Sequence, residues 1–188
     1  MKKSFNKKAA ILPLPVYIIA TYDKEETPNA MNAAWGTQWG YNEIFFILDS
    51  EHKTTENIKL NKAFTVSFGT RNTADIADFF GVVSGKDVDK ISKAGVTVVK
   101  SNHVNAPVIE QFPLTLECRV VSITNEDGDS RVVGEVLNML VDEEFLDEKG
   151  KINVDKLELI SFDSVTNSYR IIGEKVGNAF KDGLKLKY

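Results

Sequence analysis

The sequence predicts a mainly β fold, an antiparallel barrel with a few short peripheral helices. About seven runs of strand length are rich in β-branched and aromatic residues. Turns, rather than regular helical crossovers, join neighbouring runs. No glycine-rich turn links a strand to a helix, which argues against a doubly wound dinucleotide-binding sheet. With 188 residues, 43% of them apolar, the chain is long enough to bury a core as one domain over 1–188.

Lys2, Lys3, Lys7 and Lys8 precede the apolar run AAILPLPVYIIA, an order that loosely imitates a signal peptide. Pro13 and Pro15 interrupt the run, so it reads instead as the lead-in to a strand. Val16 to Tyr22 is that strand, and the charged DKEETPN that follows suits a hairpin connection. Ile44 to Asp49 is a continuous apolar run, expected to be buried on both faces. Ala63 to Gly69 alternates, with Phe64, Val66 and Phe68 on one side and Thr65 and Ser67 on the other. Asn72 or Thr73 can cap a helix whose apolar face is Ile76, Phe79, Phe80 and Val83. A second short helix is expected from Asp87 to Ala94, stopped by Gly95. Leu114 to Thr124 and Arg131 to Asp142 form a long hairpin about Asp127-Gly128, preceded by a short strand at Thr97 to Lys100. Cys118 falls in register with Leu114 and Leu116 and reads as a small buried hydrophobe. Leu157 to Phe162 is a further strand, and the tail from about Tyr169 is a short amphipathic helix or an arm over a partner subunit.

The composition narrows the function classes. A net charge of -4 argues against nucleic acid as the main partner. One cysteine and two distant histidines offer neither a disulfide nor metal-ligand spacing, and no segment reaches the length of a membrane span. A cytoplasmic location is therefore expected. No carboxylate pair, serine–histidine set or cysteine–histidine set can be assembled, so catalytic side chains are not expected.

Two stretches stand out. PNAMNAAWGTQW, Pro28 to Trp39, combines small residues, amides and two tryptophans. Small side chains let a flat ligand approach the backbone, while Asn and Gln add donors and acceptors. A planar heterocycle fits such a wall; so does a plain core strand with buried tryptophans. DSEHKTTENI, Asp49 to Ile58, leads into a helix with Thr54 or Thr55 at its start and Lys53 alongside. Outward N–H groups and a threonine hydroxyl there could cradle a phosphate, as could an ordinary cap occur without one. Lys90, after Ser84-Gly85, is a further basic candidate, expected to be solvent-exposed as a lone helix lysine.

Taken in order, the strand, NAMNAAW, the apolar strand, HKTTEN, the alternating strand, the amphipathic helix, SG and then DK resemble the flavin reductase-like family, including flavoredoxins. The resemblance runs from about Leu14 to Val141. It implies an FMN-binding split barrel, a six-stranded antiparallel Greek-key β-barrel with peripheral helices, usually a homodimer with the flavin near the subunit interface. By the same resemblance Asn29, Met31, Asn32, Ala33 and Ala34 border the isoalloxazine and ribityl chain. Lys53 and Thr54 hold the phosphate, with Asn57 nearby and Lys90 approaching from the later helix. Relatives often carry hydroxyl residues where Asn32 and Ala34 stand, and arginine where this chain has His52-Lys53. The implied activity is hydride transfer from NAD(P)H to flavin N5. The alternatives are a flavoredoxin-like carrier with tightly bound FMN and a redox protein partner, or a flavin-free barrel that binds another ligand.

Overall fold

The computed structural model describes residues 1–5 and 9–187; Lys7 and Lys8 of the basic N-terminal run lie outside the described residues. The first strands are β1 (Leu14–Pro15), β2 (Tyr17–Tyr22), β3 (Pro28–Ala33), β4 (Gly36–Gln38) and β5 (Glu43–Asp49). Helix α1 (Lys53–Asn61) precedes β6 (Ala63–Phe68), and α2 (Ala74–Val82) and α3 (Lys90–Ala94) precede β7 (Val98–Lys100) and β8 (Pro107–Ile109). The long hairpin is β9 (Leu114–Glu126) and β10 (Asp129–Val141), followed by α4 (Val154–Leu157), β11 (Ile160–Asp163) and β12 (Ser168–Ile171).

Seven strands make one antiparallel sheet in the order β3-β2-β6-β9-β10-β5-β4. Its two edge strands, β3 and β4, belong to one stretch of chain and are separated only by Ala34 and Trp35. The sheet therefore curls until its ends meet through a covalent link. Ile47 N–H donates to the Trp35 carbonyl at 3.0 Å and extends the β4–β5 ladder across that link. Counting β3 and β4 as one path leaves six, and β6 returns beside β2, the Greek-key order. The predicted barrel class is what the structure contains.

Both faces of β2 are buried, which is why VYIIATY is apolar without alternation. Ile19 packs inside the barrel with Phe46, Phe64, Val66, Cys118 and Val132, and Ile58 of α1 joins this cluster. Ile18 and Ala20 face outward against Ala77 and Phe80 of α2 and Ile91 of α3. Cys118 is fully buried, and burial pushes its thiol far up, in keeping with an inert core residue. On β6 the polar positions are also covered: Thr65 Oγ1 donates to the Pro107 carbonyl at 2.6 Å, and Ser67 and Thr115 share a hydrogen bond of 2.8 Å. The β9–β10 turn uses Asp127 and Gly128 at φ 52° and 88°, as its residue pair requires.

Several local expectations are corrected. β5 alternates: Ile44, Phe46 and Leu48 are inside, whereas no helix covers the outer face, leaving Phe45 half-buried and Ile47 exposed. Trp35 and Trp39 are 67% and 63% exposed, so neither packs in the core. α3 begins at Lys90, because the Asp89 carboxylate accepts from Ser92 N–H and caps it there. Leu157 closes a helix capped by Asn153, and Glu158 at φ 45° turns the chain before the strand starts at Ile160. The tail opens with β12, paired to β11, and continues exposed from residue 171 to 187, with a 3₁₀ turn at Asp182–Leu186.

The covalent link constrains side-chain size. A Cβ on Gly36 would lie 2.4 Å from two atoms of the Phe46 ring and 3.1 Å from the Phe45 carbonyl. Phe46 is held edge-on to Tyr17 and Phe64, at centroid distances of 5.3 and 6.4 Å, so its ring cannot shift without disturbing both contacts. Gly36→Ala is expected to cost about 1–3 kcal/mol of overpacking. Urea unfolding checks this, and an unchanged midpoint would contradict it.

Candidate functional site

Among the described residues β3 has β2 as its one strand neighbour, and its other edge is unpaired. Backbone N–H and C=O groups along such an edge need partners and can pair with the rim of a flat ligand. Three adjoining hollows follow this edge. The first, about 230 Å³, lies between Pro28, Lys53 and the 85–90 segment. The second, about 210 Å³, shares Asn29, Lys53, Gly85 and Lys90 with it and extends past Met31, Asn32 and the end of α2. The third, about 440 Å³, shares Met31, Asn32 and His52 with the second and ends at Ala33, Trp35, Leu48 and Asp129. Together they form one elongated trough.

Its first end is basic. α1 starts at Lys53 with His52 as N-cap, and the His52 side chain makes no capping bond. The first turn therefore leaves N–H groups without intrahelical acceptors. Thr54, two residues after the cap, is buried, and its Oγ1 accepts from Asn29 Nδ2 at 2.7 Å. That bond fixes the hydroxyl oxygen while leaving its proton to donate. Lys53 Nζ pairs with Asp23 at 2.9 Å. Burial opposes ionisation of Asp23, but the Lys53 hydrogen bond and the Thr27 and Glu25 N–H groups hold its carboxyl below the usual range.

Lys90 is not the exposed helix lysine expected. It is buried, its Nζ donates to the Phe80 carbonyl at 2.8 Å, and burial pushes its ammonium down to about 8. Ser84-Gly85 lies against the same end: a Cβ on Gly85 would fall 2.0 Å from Asn29 Oδ1, so only glycine permits this approach. Lys86 also borders the first hollow, and its ammonium pairs with Glu56 at 2.7 Å.

Seven of the nine sequence-predicted residues line the trough: Asn29, Met31, Asn32, Ala33, Lys53, Thr54 and Lys90. Ala34 instead faces a neighbouring apolar hollow of about 540 Å³ with Ile11, Phe45, Ile47 and Ile172. Asn57 points into the core, where its Nδ2 donates to Thr21 Oγ1 at 3.0 Å, because it follows Thr54 by nearly a full helical turn on the buried side. Sequence reasoning missed Asp23, which looked like one charge of a solvated turn, and Trp35 as a wall residue. Trp35 stands at the chain crossing between sheet edges, which no local signal marks.

No group of three or more His, Cys, Asp or Glu residues suited to a metal ion occurs among the described residues. Among those residues no helix is long and apolar enough to cross a membrane. What the trough offers is an apolar and amide-lined middle, an unpaired backbone edge, and a cationic end with hydroxyl and N–H donors.

The sequence profile of the flavin reductase like domain matches residues 9–157. The structure superposes on the flavoredoxin of Desulfovibrio vulgaris (Miyazaki F) with a TM-score of 0.92 and 31% identity, covering 97% of this chain and 100% of that one. It superposes on a flavoredoxin from Methanosarcina acetivorans with a TM-score of 0.90 and 29% identity, covering 99% of both chains. An uncharacterized protein of Archaeoglobus fulgidus is 30% identical over 145 residues, 76% of this chain and 81% of its own length.

The Asn29–Thr54 bond ties the trough's edge strand to α1. Thr54→Val keeps the volume but leaves a buried amide without its acceptor, so stability is expected to fall by about 1–3 kcal/mol. Denaturant titration of the ligand-free protein checks this, and no loss would mean the bond does not hold the two elements together.

Proposed function

The chain belongs to the flavin reductase-like domain family, and from that membership and the trough we propose that it is an FMN-binding flavoprotein acting as an NAD(P)H-dependent flavin reductase. The observation carrying this reading is the polarity of the trough. Its cationic end suits a phosphate, its length suits the extended ribityl chain, and its wider end, walled by Met31, Asn32, Ala33 and Trp35, suits a planar ring. The donor set fits the cofactor: the Thr54 hydroxyl, first-turn N–H groups of α1, and the Lys53 and Lys90 ammonium groups would hold the phosphate. Asn57 and Ala34 do not line the trough, the first being paired with Thr21 and the second facing the neighbouring hollow.

The chemistry supplied by bound FMN is hydride acceptance at N5 from NADH or NADPH and electron delivery to an acceptor. The residues of this chain bind and orient. Asp23 holds the Lys53 ammonium, and the Phe80 carbonyl holds that of Lys90, at the same end of the trough. A phosphate beside Lys90 would favour its charged form, offsetting the burial that lowers it.

A second reading, a flavoredoxin-like electron carrier with tightly held FMN, is favoured by likeness over nearly the full chain to two flavoredoxins. Steady-state NAD(P)H oxidation with added free flavin separates the two. Turnover supports the reductase; reduction only by dithionite or a protein partner supports the carrier. We also propose a homodimer. The exposed outer face of β5, with Trp35, Ile47 and the tail from residue 171, would be covered by a second copy beside the ring end of the trough. A monomer in sedimentation at working concentration would overturn it.

Replacing Lys53 and Thr54 together by alanine is expected to weaken FMN more than riboflavin, by one to two orders of magnitude in relative affinity, on the order of two charge-assisted bonds. Equal effects on both ligands would remove the phosphate from this end.

The affinity for FMN should also fall as pH rises through about 8, where Lys90 loses its proton, while riboflavin affinity stays level. Fluorescence titration between about pH 7 and 9, roughly one unit either side of that value, checks the direction. Lys90→Met should abolish the difference.

A further inference from the structure

Asn32 lines the middle and the wide end of the trough, and its amide is held from behind. Its Nδ2 donates to the Ala77 carbonyl of α2 at 2.9 Å and to the Tyr169 hydroxyl at 3.4 Å. Tyr169 in turn donates its own proton to Asp78 Oδ1 at 2.8 Å. Both amide protons are therefore spent, and the direction of the chain of bonds is set. A flipped amide would place Oδ1 against the Ala77 carbonyl oxygen and against a tyrosine oxygen whose proton is already committed. Two acceptor–acceptor contacts would replace two hydrogen bonds.

Among the described residues nothing donates to Asn32 Oδ1, and it is not among the enclosed side-chain atoms without a partner, so the oxygen is accessible on a residue that lines the trough. Tyr169 remains a phenol over the whole physiological range: burial first, then the bond to Asp78 and its charge, push it up to about 12. β12, which carries Tyr169, lies beyond residue 157, where the family match ends. The device therefore uses the C-terminal hairpin as well as the barrel.

Resting on the FMN reading above, we propose that Asn32 is a specificity-determining residue presenting only an acceptor to the flavin ring, and that Tyr169 is the positioning residue that fixes this polarity. The reduction FMN + 2e⁻ + 2H⁺ → FMNH₂ converts acceptor nitrogens of the ring into N–H donors. An acceptor-only wall therefore binds the reduced form better than the oxidised one. The distinction needs no charge and no proton movement by the protein.

The test is the dissociation constant of oxidised FMN and of dithionite-reduced FMN, measured anaerobically for the full chain and for Asn32→Ala and Tyr169→Phe. The native protein should prefer reduced FMN. Asn32→Ala should lower the ratio of the two constants about tenfold, the scale of one hydrogen bond gained and one repulsion relieved, equivalent to about 30 mV in a two-electron midpoint potential. Tyr169→Phe should lower it about threefold, since Ala77 still holds one proton and the ring can keep its place beside Phe162. A readout without flavin accompanies this: the Asn32 side-chain amide in ¹⁵N spectra should exchange slowly with solvent in the native protein and faster in Tyr169→Phe. Equal weakening of both redox forms would show a merely structural role and overturn the proposal. Failure of the native chain to bind either form would overturn the FMN reading itself, and this inference with it.

Discussion

The structure depends on one run of chain serving both ends of a curled sheet. Pro28 to Gln38 leaves the sheet as β3, crosses at Ala34-Trp35 and rejoins it as β4. A crossing of this kind cannot pair fully along its length. The free edge of β3 is what remains, and α1, α2 and the 85–90 segment stand around it instead of a further strand. The same constraint sets the residue sizes in the run: Gly36 must have no side chain beside Phe46, and the two alanines before Trp35 keep the crossing narrow. The edge that would be a liability in an open sheet becomes the wall of a sheltered trough.

Polar side chains around that edge are mostly committed to the protein before any ligand arrives. Asn29 is bound to Thr54, Asn32 to Ala77 and Tyr169, Lys53 to Asp23, and Lys90 to the Phe80 carbonyl. Each commitment uses some of a group's capacity and points the rest into the trough. Preorganisation of this sort lowers the entropy lost on binding and lets uncharged contacts discriminate between ligands.

Much of this was legible in the sequence. Period-two patterns and the Asp127-Gly128 turn identify the strands, and the ordered set from NAMNAAW to the later lysine identifies the family. Seven of the nine residues named there line one trough. The remainder depends on tertiary placement. Asn57 looked available because helix phase relative to the core is not written in a short polar string, and α1 turns it toward Thr21. Lys90 looked exposed because lysine usually is, but the close approach of Gly85 to Asn29 draws its segment inward. The tryptophans looked equally suited to a core, but Trp35 stands on the crossing between sheet edges and Trp39 follows the end of β4, and both are outside. Tyr169 carried no signal at all, since its role arises from a hairpin folding back over α2.

The central claim is that the trough on the free edge of β3 holds FMN. It is tested most directly by the absorption spectrum of the purified protein before and after incubation with FMN and desalting. The account predicts flavin bands that survive desalting, with FMN itself released on denaturation. A protein that remains colourless and shows no FMN binding on titration would contradict it.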